Sequence, residues 1–260
     1  NSSGEGPAIV LVPGSCSTGA AWRPVVSHLR DRFRCITTSL PGYGGSSERR
    51  TAADRSIDRV AEAVELVIAR ASQPVHLAGH SFGGLVSLAV ALRARVPLQT
   101  LVLLEPPAVS MLTDASDAPY ATAMRYMAAA YAADHSAGNP IAISAMIDFY
   151  GGSGTFAAWP ERARAYAAET TAVNLVDWQT AFDFPLERAS LAGLAVPTHI
   201  VCGGDSHPAM QHIARRLADS IAGATLAQIA GAAHFMIATH PFEVARAIDA
   251  PIQRSAVDTV

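Results

Sequence analysis

Six short runs of apolar, often β-branched residues, separated by longer helical patterns, constrain this chain more than any other feature. The runs are AIVLV (8–12), RCITTS (34–39), VHLAG (75–79), TLVLL (100–104), THIVC (198–202) and TLAQI (225–229). Most do not alternate with polar residues, which is how strands read when both faces of their sheet are covered. Between them GAAWRPVVSHLRDR, SIDRVAEAVELVIARA, GLVSLAVALRARV, AMQHIARRLADSIA and FEVARAIDAPIQ read as helices. This alternation predicts an α/β fold, a mainly parallel, doubly wound sheet of about six strands with helices on both faces. The 260 residues, half of them hydrophobic, suffice for one large core.

The alternation stops after the fourth run and resumes before the fifth. The core is therefore expected to comprise residues 1–110 and 190–260, and residues 111–189 to form a helical cap. Stretches such as APYATAMRYMAAAYAA and PERARAYAAETTAV are alanine-rich and helical in pattern, and 11 of the 17 aromatic residues fall in this segment. Leaving one strand's carboxyl end and returning before the next, such a segment would lie over the functional edge of the sheet as a lid. Most of its aromatics serve to hold helices together. Phe149, Tyr150, Trp159 and Trp178 are the candidates for the wall of an apolar pocket.

Charge excludes some functions. With 22 acidic and 19 basic side chains, the chain has no electrostatic reason to seek nucleic acid or an anionic membrane. No apolar run approaches the ~18 residues that span a bilayer. Every basic residue is arginine, so lysine Schiff-base chemistry is closed to it. Cys16, Cys35 and Cys202 are scattered and form no zinc spacing. Unpaired thiols, with no basic and apolar leader in NSSGEGP, suggest the cytoplasm. Asp205, His207 and His212 also match no common metal pattern and read as solvated helix-start residues, so neither metal nor cofactor is expected. An apolar lid surface suits a monomer or a homodimer equally.

VHLAGHSFGGLVSLAVAL carries the chemistry. A strand, then Gly79-His80-Ser81-Phe82-Gly83, then an apolar helix, is the setting in which G-x-S-x-G forms a nucleophile elbow. Side chains two positions either side of the serine would strike neighbouring backbone, hence glycine at 79 and 83. The Phe82 N–H, at a helix start, points where an oxyanion would form. Serine needs a base. Of nine histidines, His234 is best placed, on a Gly/Ala-rich loop just after the last strand. A carboxylate, which could be a helix cap, a salt-bridge partner or part of an active site, also ends the strand of TLVLLEPPAV, where Pro106 and Pro107 stop a buried strand directly after Glu105. That is the edge where open parallel sheets place their working groups.

With these motifs in order, the chain resembles the α/β-hydrolase family over nearly its whole length. LVPGSCSTGAAW is similar to the family's oxyanion loop, LPGYGGSS to the turn after the next strand, GHSFGG to the elbow and GAAHF to the histidine loop. The resemblance implies Ser81 as nucleophile, His234 as base, and the N–H groups of Phe82 and Ser15 as an oxyanion hole. Two departures are visible: the oxyanion loop opens with Pro13-Gly14 rather than His-Gly, and the usual N-terminal β-hairpin is missing. Serine at the elbow sets the chain apart from relatives that carry aspartate there, the epoxide hydrolases and haloalkane dehalogenases.

The acid has two candidates. Many relatives place an aspartate after the penultimate strand, pointing to Asp205 in VCGGDSHPAM, but the usual position, three residues after Gly203, is Ser206. Asp205 could instead cap the helix starting near Pro208. A subgroup that includes the resorcylic-lactone hydrolases carries a glutamate where Glu105 stands, and Glu105 is preferred to Asp205. The expected activity is hydrolysis of a carboxylic ester or lactone of a mainly apolar small molecule through an acyl-enzyme. C–C bond hydrolysis, lyase chemistry and cofactor-independent oxygenation on the same fold stand as alternatives, and a non-catalytic ligand-binding protein as a remote one.

Overall fold

All six apolar runs form strands in the computed structural model, which describes residues 1–51 and 53–257. They are β2 (Ala8–Val12), β3 (Arg34–Thr37), β4 (Val75–His80), β5 (Leu98–Leu104), β6 (Thr198–Gly203) and β7 (Thr225–Ile229). A seventh strand, β1 (Ser2–Ser3), pairs antiparallel with β3 through Ser2↔Ile36 and Ser3↔Cys35. The expected count of about six is thus corrected to seven. Two exposed serines carry no apolar pattern, so β1 gave no signal. The sheet order is β1-β3-β2-β4-β5-β6-β7, and every pairing except β1–β3 is parallel. The winding direction reverses between β2 and β4, and open α/β sheets bind ligands in the crevice at such a reversal.

Helices cover both faces of the sheet, which explains the lack of polar alternation. In β2, Ala8, Val10 and Val12 belong to one apolar cluster, while Ile9 and Leu11 belong to the other. The first face packs under α2 (Asp58–Ala69) and α3 (Phe82–Arg93), through residues such as Val60, Val64, Leu85 and Leu88. The second packs under α1 (Arg23–Leu29) and the terminal helix Pro241–Val257, through Val25, Leu29, Val244 and Ile248. Each fully buried Leu, Ile or Val contributes about 1.5–3 kcal/mol of transfer free energy. Burial on both faces therefore holds these strands between the two helical layers.

Between β5 and β6 the described residues form six α-helices and no strand: α4 (Ala118–Ser136), α5 (Ile143–Gly151), α6 (Thr155–Ala158), α7 (Glu161–Glu169), α8 (Thr171–Asp183) and α9 (Arg188–Ala192). Their buried side chains, among them Met124, Tyr131, Ile143 and Ile147, are continuous with the α2–α3 cluster. The chain then continues through β6, α10 (Pro208–Ser220) and β7 to the short α11 (Met236–Thr239) and the terminal α12 (Pro241–Val257). No helix among the described residues is long and apolar enough to cross a membrane.

Candidate active site

The sheet's carboxyl edge gathers the candidate residues. β4 lies between β2 and β5, with Val12 opposite Gly79 and Leu104 opposite His80. Ser81 therefore emerges between the Gly14–Ser15 loop on one side and Glu105 on the other. A Cβ on Gly79 would collide with the Gly83 carbonyl oxygen, and one on Gly83 with the Pro13 carbonyl oxygen. Both positions thus require glycine for close approach. A Cβ on Gly14 would sit 2.9 Å from the Ser81 Cβ, so the loop after β2 touches the elbow directly. Among the described residues, five non-glycine residues have positive φ, and three are here: Cys16 (55°), Ser81 (54°) and Glu105 (47°). Strained backbone of this kind concentrates where side chains must be held in one direction.

Ser81, His234 and Glu105 form one hydrogen-bonded line. Ser81 Oγ is 2.9 Å from His234 Nε2, and His234 Nδ1 is 2.7 Å from Glu105 Oε2. Glu105 is fully buried. Burial pushes its carboxyl up, but His234, the Ser206 hydroxyl and the Gly203 N–H together hold it below the ordinary range. The Gly203 N–H donates to Oε1 at 2.7 Å, and Ser206 Oγ donates to the same oxygen. An ionised Glu105 can only accept, so Nδ1 carries the imidazole proton and Nε2 is left to accept from Ser81. Asp205 lies elsewhere: it is exposed, and only its backbone N–H is tied inward, to Ala232 O at 2.9 Å. It does not cap α10 either. His207 does so, through Nδ1 and the Ala209 N–H at 3.2 Å. At the position three residues after Gly203 stands a serine that donates to Glu105.

A cavity of about 980 Å³ opens over Ser81 and His234. The core supplies Gly14, Ser15 and Phe82 to its wall, and the helical segment supplies Tyr150, Trp159 and Trp178. Phe149 is a correction. It is not among the described lining residues and instead stacks on His207, with ring centroids 4.0 Å apart. Consecutive helical residues point about 100° apart, and here it is Tyr150 that turns inward, its ring stacked on His234 at 4.1 Å and 15°. His207 and His212 are also not the solvated residues expected. Both are half-buried, and His212 Nε2 bonds the buried Asp117 at 2.7 Å. Among the described residues no cluster of His, Cys, Asp or Glu could hold a metal ion.

Sequence reasoning missed two features. His80 donates from Nε2 to the His234 carbonyl oxygen at 2.7 Å, and burial pushes its imidazole down to about 3. It is a neutral brace for the histidine loop. The second is a polar group behind the cavity wall, in which Asp177 lines the cavity and buried Tyr43 and Arg50, with half-buried Glu48, stand behind it. Asp177 accepts from Tyr43 OH and from Arg50 Nη2, both at 2.6 Å, and from Ser15 Oγ. A lone aspartate in the apolar stretch NLVDWQTAF was the available signal, but nothing in the sequence names its partners 127 and 134 residues away.

A largely parallel sheet with a serine elbow at its carboxyl edge, backed by histidine and a carboxylate, defines the α/β-hydrolase class of protein. The alpha/beta hydrolase family model matches residues 9–247, and the chain belongs to that family. Its fold superposes on a thermophilic esterase from Thermogutta terrifontis with a TM-score of 0.77 at 21% identity, over 98% of this chain and 92% of that one. In sequence it is 39% identical over 102 residues to the Pimeloyl-[acyl-carrier protein] methyl ester esterase of Methylococcus capsulatus, a match covering 39% of this chain and 38% of that protein. It is 35% identical over 88 residues to the (E)-2-((N-methylformamido)methylene)succinate hydrolase of Acinetobacter baylyi, covering 34% and 33%. The matches thus span under two fifths of these curated relatives.

Proposed function

We propose that this protein is a serine hydrolase that cleaves a carboxylic ester or lactone of a mainly apolar small molecule. The observation that carries the reading is the unbroken line from Ser81 Oγ through His234 to buried Glu105, opening onto a large cavity. Ser81 Oγ attacks the carbonyl carbon while His234 Nε2 takes its proton, and Glu105 stabilises the imidazolium. The N–H groups of Ser15 and Phe82 receive the oxyanion. Collapse expels the alkoxide, which takes the proton from His234 and leaves the acyl group on Ser81. Water then attacks the acyl carbon, passing a proton to Nε2, and the acid leaves as Ser81 Oγ is reprotonated.

The helices from α4 to α9 act as the lid, and Tyr150, Trp159 and Trp178 give the acyl or alcohol portion an apolar seat. Relatives named as ester hydrolases support the reaction class. The test is to incubate the protein with p-nitrophenyl esters, quench in acid and map the adduct by mass spectrometry. The expected result is an acyl group on the Ser81 peptide and release of free acid. Hydrolysis by the parent without a trappable acyl-Ser81, together with a Ser81→Ala variant as active as the parent, would overturn it.

A further inference from the structure

Resting on the hydrolase reading, we propose that the buried Arg50–Asp177 ion pair is the positioning element of the oxyanion hole, binding both of its N–H donors to helix α8. Asp177 lies on α8 with its side chain only 2% exposed, and that of Arg50 is 1% exposed. Asp177 Oδ2 accepts from Ser15 Oγ, so the residue that supplies one N–H of the hole is held by its own side chain to a helix of the lid. The guanidinium carbon of Arg50 sits 5.4 Å from the centroid of the Phe82 ring, so the residue that supplies the other N–H rests against the same ion pair. Arg50 is itself fixed on three sides. It donates to Asp177 Oδ1 at 2.6 Å, to Thr180 Oγ1, one turn further along α8, at 3.0 Å, and to both oxygens of Glu48, at 3.0 and 2.6 Å.

Stability alone does not account for such a pair, because desolvating two charges consumes much of their attraction and apolar residues of similar volume often serve as well. Geometry gives it a use. The loop from Pro13 to Thr18 has no regular structure, and Cys16 within it is held at φ 55°, a conformation that L residues avoid. Inside the loop, Ser17 Oγ donates to Gly14 O at 2.9 Å. From outside the loop, Ser15 is held by Asp177 together with the Tyr43 hydroxyl, which itself donates to Asp177. An oxyanion donor displaced by about 1 Å can cost on the order of 100-fold in rate. The ion pair removes that freedom and makes a properly formed hole depend on a seated α8.

The experiment compares wild type, Ser15→Ala, Ser15→Thr, Asp177→Asn and the Ser15→Ala/Asp177→Asn double variant, using p-nitrophenyl butyrate turnover, inhibition by an alkyl trifluoromethyl ketone and thermal unfolding. Ser81 adds to that ketone and leaves an oxyanion where the ester's would form, so its affinity reads the hole directly. Ser15→Ala is expected to lower kcat roughly 10-fold or more and to weaken the ketone by a similar factor, with KM within about twofold. Ser15→Thr, which keeps the hydroxyl, restores both. The double variant is no slower than Asp177→Asn, because the bond that Ser15→Ala removes, Ser15 Oγ to Asp177, is one that Asp177→Asn already disturbs. Should Asp177→Asn fail to fold, the Ser15 pair decides alone. Wild-type kcat and ketone affinity in Ser15→Ala, with any loss confined to melting temperature, would overturn the proposal while leaving the hydrolase reading intact. A wild type inert to both ester and ketone would remove both.

Discussion

At the scale of single residues, the site depends on how one carboxylate is kept charged without water. Glu105 survives complete burial because every bond around it is donated by a neighbour: His234 to one oxygen, Ser206 and the Gly203 N–H to the other. Removing one donor leaves part of that desolvation uncompensated. Ser206→Ala is therefore expected to destabilise the fold by about 1–3 kcal/mol and to slow ester turnover several-fold, as read by thermal unfolding and kcat. A fully active and equally stable variant would show that Ser206 contributes nothing to holding the acid. Position 105 was legible in advance because Pro106 and Pro107 stop a buried strand directly behind it. Its supporting donors were not, since Ser206 and Gly203 reach it from a different strand about 100 residues on.

Among the elements, strands were far easier to read than helix faces. β2 and β4 to β6 are buried on both sides, and continuous apolar runs report that directly. β1 escaped because an exposed two-residue edge leaves no pattern. Helix α5, ISAMIDFYG, is apolar around most of its circumference, so the sequence leaves its phase open and does not separate Phe149 from Tyr150 as pocket wall. The structure gives Phe149 to His207 and Tyr150 to His234. A stacked aromatic pair is worth about 0.5–1.5 kcal/mol. Tyr150→Phe, which keeps the ring, is predicted to retain kcat within about twofold, and Tyr150→Ala to lose roughly 2- to 10-fold. Phe149→Ala should leave kcat nearly unchanged while lowering the melting temperature. If Phe149→Ala proved the more damaging to turnover, the assignment of α5's inward face would be wrong.

For the molecule as a whole, burial of ionisable groups at the sheet predicts lability to acid. His80 and His76 are buried within β4, and burial pushes their imidazoles down to about 3 and about 4. Folded, they stay neutral in a range where the unfolded chain binds protons, so stability falls as pH drops below about 6.5. Glu105, held low by its donors, acts in the same direction at lower pH: its contribution is present above the ordinary glutamate range and fades as the folded carboxyl is forced to protonate. Unfolding free energy measured from pH 7 to pH 4 should decline, and His80→Gln should flatten part of that slope while lowering stability at pH 7. A slope unchanged by the substitution would mean that His80 does not titrate differently on unfolding.

The arrangement of the chain brings the ends of β4, β5 and β7 to one place, and the account rests on Glu105, not Asp205, completing the line through His234. The most direct measurement is the rate at which a fluorophosphonate labels Ser81 in wild type, Glu105→Gln and Asp205→Asn, with the adduct mapped by mass spectrometry. The account predicts rapid labelling of wild type and Asp205→Asn, and a loss on the order of 10³- to 10⁴-fold in Glu105→Gln, where the wrong imidazole tautomer faces the serine. Normal labelling of Glu105→Gln, with collapse in Asp205→Asn, would contradict it.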